Sequence, residues 1–208
     1  MKIEKVNGFW VPSNDVHIED WRAGKPFTQN KCLLKFLQYC TDQNKKFKTV
    51  LDIGAWCGTW TKALEPFSKK IIAFEPDPVH FDCLHKNCTV NCSPRNEAVG
   101  SEDKFISLTV DDFTQAKRIE SAGKIKMVTV DSLDIADVDL IKIDVEGYEM
   151  EVIKGAEETL ARTKFLMIEL NNNTKKYGSS NIEIEKKLQS MGFKPILEHW
   201  PDKVFYRV

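Results

Sequence analysis

Four short apolar runs in this chain each end at or beside a carboxylate: TVLDI (49–53), IIAFE (71–75), LIKID (140–144) and FLMIE (165–169). Runs of this length, without polar alternation, read as strands buried on both faces. Helix-like stretches separate them. The strands are predicted at Thr49–Ile53, Ile71–Phe74, Leu140–Ile143 and Phe165–Leu170. The helices are predicted at Thr59–Leu64, closed by Pro66, at Pro78–Cys88, at Glu149–Arg162 and at Asn181–Met191. An earlier helix is expected from Asn30 to Cys40, where Leu33, Phe36, Leu37 and Cys40 recur on one face. Alternation of this kind specifies an α/β fold, a mostly parallel sheet covered by helices on both faces. In such sheets ligands bind outside the carboxyl ends of the strands. Asp52, Glu75, Asp144 and Glu169 therefore mark the edge where a ligand belongs.

The rest of the chain is less patterned. Residues 1–27 read as irregular. Shorter strands are expected near Asn96–Val99, Phe105–Val110 and Lys126–Val130. Ser180 and Glu183 form a capping box before the last helix, and Gly192 ends it. Phe193–His199 and Val204–Arg207 read as a closing antiparallel hairpin turning at 200–203. The whole is read as a single domain, 1–208, with 1–47 as an extension that could close over a substrate and 48–208 as a cofactor-binding core.

Composition narrows the partners. The 208 residues carry a net charge of -1, so no basic field calls for nucleic acid or an anionic membrane. No apolar run reaches the roughly 18 residues of a membrane span. Glu4 and Asn7 interrupt the start where a secretory leader is apolar. The six cysteines are too few for a disulfide scaffold and are expected as reduced thiols in a cytoplasm.

The first strand breaks into D-I-G-A-W-C-G (52–58). Gly54 and Gly58 allow a tight turn and close approach of a ligand. The next helix start can receive an anionic group. Glu75 could accept hydrogen bonds from both hydroxyls of a ribose. The dinucleotide fingerprint G-x-G-x-x-G fails because Trp56 stands where its second glycine belongs. The Walker pattern fails because Thr59-Trp60 follow Gly58. What remains, acid-x-Gly-x-x-x-Gly, is the loop type used for S-adenosylmethionine; a bare tight turn is the alternative.

At these residues the chain resembles the FkbM-type methyltransferases, of the class I S-adenosylmethionine-dependent fold, over residues 48–195. VLDIGAWCGTWT, AFEPDP and NEAVG resemble successive family motifs, and LIKIDVEGYEMEVIKGAEETL with MIELN behind it is the most specific match. Trp56 departs from the family, which usually carries Asn there. The resemblance implies a Rossmann-like seven-stranded sheet. It implies that Asp52, Gly54, Ala55 and Gly58 hold the methionyl part of the cofactor and Glu75 the ribose. Pro76 and Asp77 would shape the adenine side, Glu97, Ala98 and Val99 would lie near the adenine, and Asp144 and Val145 would flank the sulfonium.

Methyl transfer to an alcohol needs alignment and a base. Asp144 and Glu146 suit that role, with Glu169 as a third contributor; Glu146 could equally cap the following helix. A divalent metal on Asp144, Glu146 and Glu169, whose carboxylate oxygens suit a hard cation, is the less favoured alternative. Zinc on His80, Cys83, His85, Cys88 and Cys92 is disfavoured, since no C-x2-C pair exists. The scattered lysine runs read as solvated surface. Trp10, Trp21 and Phe27 read as core covering or as a lid, and nothing fixes His17 in the pocket. The expected activity is O-methylation of a small molecule or sugar hydroxyl. The rivals are a catalytically silent nucleoside-binding scaffold, an NAD-dependent oxidoreductase, and a nucleic-acid methyltransferase, which would want a basic face and the absent N/D-P-P-Y/F loop.

Overall fold

The computed structural model describes residues 2–25, 30–110 and 117–208. Phe27, read above as part of a covering or lid, lies outside the described residues.

The chain opens with an antiparallel hairpin, β1 (Ile3–Val6) and β2 (Phe9–Pro12), and a short helix α1 (Ile18–Arg22). The segment is therefore not irregular. Asn7-Gly8, both at positive φ (47° and 88°), form its two-residue turn, a hairpin signal that the reading of 1–27 passed over.

Helix α2 (Lys31–Asp42) follows, and Asn30 caps it by accepting from the Leu33 N–H at 2.9 Å. The alternating core then runs β3 (Phe47–Ile53), α3 (Thr59–Leu64), β4 (Ser68–Phe74), α4 (Pro78–Asn87) and β5 (Cys92–Arg95). After an excursion through β6 (Ala98–Val99), β7 (Lys104–Val110), β8 (Lys117–Ser121) and β9 (Ile125–Val128), it resumes with β10 (Val138–Ile143). Helices α5 (Glu149–Lys154) and α6 (Glu157–Leu160) lead to β11 (Phe165–Glu169). Then come α7 (Asn181–Ser190), β12 (Phe193–His199) and β13 (Asp202–Arg207).

The main sheet has seven strands in the order β12-β13-β11-β10-β3-β4-β5. β11, β10, β3, β4 and β5 are mutually parallel. β13 runs antiparallel to both β11 and β12. The closing hairpin thus inserts its second strand inside the sheet, and the outer strand β12 again runs with the others. β3 continues to β4 on one side, and the chain later returns to β10 on the other. In sheets of this kind that reversal point, at the carboxyl ends of β3 and β10, is where ligands bind.

Period-two alternation divides the core. Leu51, Ile53, Ile141, Ile143, Leu166 and Ile168 pack on one face with Val152, Ile153 and Leu188 of the covering helices. Val50, Leu140, Phe165 and Met167 pack on the other with Leu33 and Phe36 of α2 and Trp60 and Leu64 of α3. Asp52 and Lys142 occupy this second face too, paired in register across β3 and β10.

Three departures from sequence expectation have local causes. The strands near 96–99, 105–110 and 126–130 form a separate small sheet, β6-β9-β7-β8, rather than joining the main one. β5 and β8 were missed because CSPR and KRIES are short and polar; Pro94 is tolerated in β5 because that strand is at the sheet edge. The single helix expected over 149–162 breaks in two at Gly155 and Ala156. A Cβ on Gly155 would lie 1.9 Å from the Gly100 carbonyl oxygen, and Asp131 caps α6 from outside by accepting from the Glu158 and Thr159 N–H groups. Periodicity cannot register either contact.

Cys88 and Cys92 are joined in a disulfide, which corrects the expectation of six reduced thiols. Cys32, Cys40, Cys57 and Cys83 are free and buried. Among the described residues, no helix is long and apolar enough to cross a membrane.

Gly155→Ala is expected to lower stability by about 2–3 kcal/mol through overpacking against Gly100. Thermal unfolding should show this as a fall in Tm of roughly 4–12 °C for a chain of this size. An unchanged Tm would mean that the α5–α6 break does not depend on this contact.

Candidate functional site

β3 runs into the glycine loop at the point where the strand order reverses. The Gly54 and Ala55 N–H groups both donate to the Phe74 carbonyl at the end of β4, at 3.0 and 2.9 Å. Gly54 has φ +76°, and a Cβ there would lie 1.8 Å from the Asp144 carbonyl oxygen. Only glycine lets the end of β10 come this close. Gly58, at φ +92°, begins α3, and a Cβ there would meet the Leu84 side chain at 2.8 Å. Ala55 is buried in the loop.

Glu75 ends β4 and faces this loop. It is 6% exposed. One carboxylate oxygen accepts from the Trp56 N–H and the other from the Asp77 N–H, each at 2.9 Å. A carboxylate oxygen has two acceptor positions, so each retains one for a further donor. Asn96 steadies this turn by donating to the Glu75 and Pro76 carbonyls. Asp77 caps α4, accepting from the Val79 and His80 N–H groups. The His80 ring lies edge-on to Trp56.

Trp56 has φ +49° and packs its ring against Trp21 of α1, with ring centroids 5.6 Å apart. It joins the cluster of Val6, Phe9, Val11, Ile18 and Trp21. Asn87 makes a second tie, exchanging hydrogen bonds with the Trp10 backbone and donating to the Cys57 carbonyl. The N-terminal hairpin is thereby fastened to the glycine loop.

Behind the loop sits a buried charge network that the sequence reading did not single out. Lys142, 3% exposed, lies in β10 within an apolar run. Its ammonium donates to the Gly54 carbonyl at 2.7 Å and lies 3.3 Å from Asp52 and 3.4 Å from Asp144. Burial disfavours the charge, but Asp52 and Asp144 outweigh it and hold the lysine above its ordinary pKa. Asp52 is fully buried and accepts from the Thr61 hydroxyl at 2.6 Å, so it lies beneath the loop rather than on its open side. The available signal was a lysine inside a buried strand, which demands an anionic partner.

Asp144, Glu146 and Glu169 do converge: one carboxylate oxygen from each lies within 4.8 Å of the others, close enough for a hard cation to bridge. Glu146 has φ +56° and accepts from the Asn173 amide at 2.9 Å. Burial, then Asp144, raise its pKa. Burial, then Asp144, raise the pKa of Glu169 above the ordinary carboxylate range. Burial pushes Asp202, which pairs in register with Glu169, up to about 6. Glu149, also unforeseen, is fully buried and holds the loop by accepting from the Gly147 and Val145 N–H groups at 2.9 and 3.3 Å. It steadies the turn between β10 and α5, and among the described residues no side chain caps that helix.

The remaining candidates are more dispersed. Glu97 lies between Arg95 and Lys126, at 2.6 and 3.3 Å. Ala98 and Val99 are buried in β6. Val145 packs partly against both the main core and the small sheet. His17 sits beside Trp21 on an exposed segment. Among the described residues, the histidines and cysteines of 80–92 form no group that could share an ion.

A family model described as the methyltransferase FkbM domain matches residues 52–195. The hexuronic acid methyltransferase AglP of Haloferax volcanii is 28% identical over 131 residues, which is 58% of this chain and 54% of that protein. The chain thus spans about half the length of this curated relative. The solved methyltransferase FkbM of Methylobacillus flagellatus superposes with a TM-score of 0.58 at 16% identity, covering 77% of this chain and 43% of that one. The N-methyltransferase NodS of Bradyrhizobium japonicum, solved with S-adenosyl-L-homocysteine, superposes with a TM-score of 0.52 at 12% identity, covering 90% and 91%. These structures share the class I methyltransferase fold of the seven-stranded sheet. With the family match extending over most of the chain, from Asp52 at the glycine loop to Pro195 in β12, the chain belongs to the methyltransferase FkbM domain family.

Proposed function

We propose that this chain transfers a methyl group from S-adenosylmethionine to a hydroxyl oxygen of a small molecule or sugar. The observation that carries the reading is Glu75: a buried carboxylate at a strand end, held by two backbone N–H groups beside the glycine loop, with acceptor capacity left on both oxygens. That is the chemistry a ribose diol requires. The family match and the NodS complex support the same donor.

In this reading Glu75 binds the ribose hydroxyls and the 54–58 loop lies along the methionyl part, with Asp52 supporting it from below. Pro76, Asp77 and Glu97–Val99 border the base, and Asp144 and Val145 lie by the sulfur. The bound sulfonium supplies an activated methyl with a good leaving group. The protein's own task is to orient the acceptor and accept its proton. Glu146 is the proposed base. Asp144 orients the acceptor, and Glu169, whose pKa burial and Asp144 raise, is the third carboxyl group beside it. AglP's name, a hexuronic acid methyltransferase, favours a carbohydrate acceptor. We assign residues 2–25 to the mouth of the site because they are fastened to Trp56 and Cys57.

Transfer of labelled methyl from S-adenosylmethionine to a panel of sugars and small alcohols tests the reaction. The product should resist mild alkali, as an ether does and a methyl ester does not; no labelled acceptor across the panel counts against the reading. Glu75→Gln places an amide N–H₂ against one of the backbone donors. It should weaken S-adenosylhomocysteine binding about tenfold or more, measured by calorimetry. Glu146→Gln should lower kcat by about 10²–10⁴ with donor affinity retained. Because Glu146 works deprotonated and its pKa is raised above 4.5, activity should be full at higher pH and fall as pH drops through that raised value. The Gln variant should lack this acid limb. Dialysis against EDTA should leave the rate unchanged, because Lys142 already sets a cation beside Asp144.

A further inference from the structure

The Lys142 ammonium sits between three acceptors from three segments: the Asp52 side chain of β3, the Gly54 carbonyl of the glycine loop, and the Asp144 side chain just beyond β10. The ammonium donates a hydrogen bond to the Gly54 carbonyl and forms ion pairs with the two carboxylates. Trp60 of α3 covers the group, its ring centroid 5.9 Å from the nitrogen. A buried ion pair is by itself a poor source of stability, and a well-packed apolar side chain of similar volume serves stability as well or better. What an apolar side chain cannot do is hold a loop carbonyl and an acid at fixed positions relative to each other.

We propose that Lys142 is a positioning residue for the donor site, tying the glycine loop to Asp144 so that the two keep one relative arrangement. The inference rests on the function proposed above and extends it to a residue that touches neither donor nor acceptor. It accounts for a lysine in a strand whose neighbours Leu140, Ile141 and Ile143 are all buried and apolar. It also accounts for the convergence on the Gly54–Asp144 contact, where the loop and the end of β10 meet with no room for a Cβ.

Lys142→Met alone strands the Asp52 charge in the core and endangers the fold. The informative comparison is therefore Asp52→Asn/Lys142→Met against Asp52→Asn, both in the full chain, since neither leaves an unpaired buried charge at position 52. Two readouts are taken: amide hydrogen exchange over residues 54–58, and affinity for S-adenosylhomocysteine. Loss of a charge-assisted hydrogen bond to Gly54 should speed exchange about tenfold and weaken affinity about tenfold, or about 1.4 kcal/mol, beyond Asp52→Asn, with thermal stability equal or higher. A purely structural lysine would lower stability and leave loop exchange and affinity as in Asp52→Asn, and that result overturns the proposal. If the wild-type chain does not bind S-adenosylhomocysteine, the donor reading fails by itself. The exchange comparison then decides the role of Lys142: faster exchange upholds the tie to the loop, and equal exchange removes it.

Discussion

The site depends on the in-register pairing of β3 with β10. Parallel pairing sets Asp52 opposite Lys142 and Ile53 opposite Ile143, so both strands end at the same level. The Asp144 N–H then continues the ladder to the Ile53 carbonyl at 3.0 Å, and the loop after β3 meets the loop after β10 directly. A shift of one residue would turn Asp52 and Lys142 to the opposite face and bring Leu51 and Ile141 in their place, breaking both cores. The apolar alternation that builds the two layers therefore also places the charges.

Electrostatics at the rim follow from crowding. Asp144, Glu146 and Glu169 meet where burial already disfavours charge, with Asp202 close by, and Lys142 is the buried cation set against them. The acids divide the work accordingly. Burial and Asp144 raise the pKa of Glu169, Lys142 pairs with Asp52, and Glu146 accepts from the Asn173 amide. Glu149 is pushed up to about 7 by burial, against the pull of the backbone N–H groups it binds. Carboxyl groups of one chemical type are thus separated into different protonation behaviours by position alone.

Trp56 gives the glycine loop a second attachment. A polar residue at this point would leave the loop facing solvent or ligand; here the indole instead packs on Trp21 and His80 while its backbone N–H binds Glu75. The acid proposed to receive the ribose and the N-terminal hairpin are in this way joined through one residue.

Much of this was readable from residue order. The apolar runs, their acidic ends, the two glycines and the Ser180–Glu183 cap determined an α/β sheet with carboxylates at its rim, because each depends on neighbours within a few residues. Glu75, Asp144, Glu146 and Glu169 were found at strand ends for the same reason. What only the tertiary structure decided were contacts between distant segments: Lys142 bonded to Gly54 and paired with Asp52 and Asp144; the helix after β10 broken where Gly155 meets Gly100; the middle strands drawn into their own small sheet; and Asp52 buried beneath the loop it was expected to line. A linear pattern reports which face a side chain occupies. Which partner awaits it there depends on how the strands are ordered, and that order is set by packing of the whole chain.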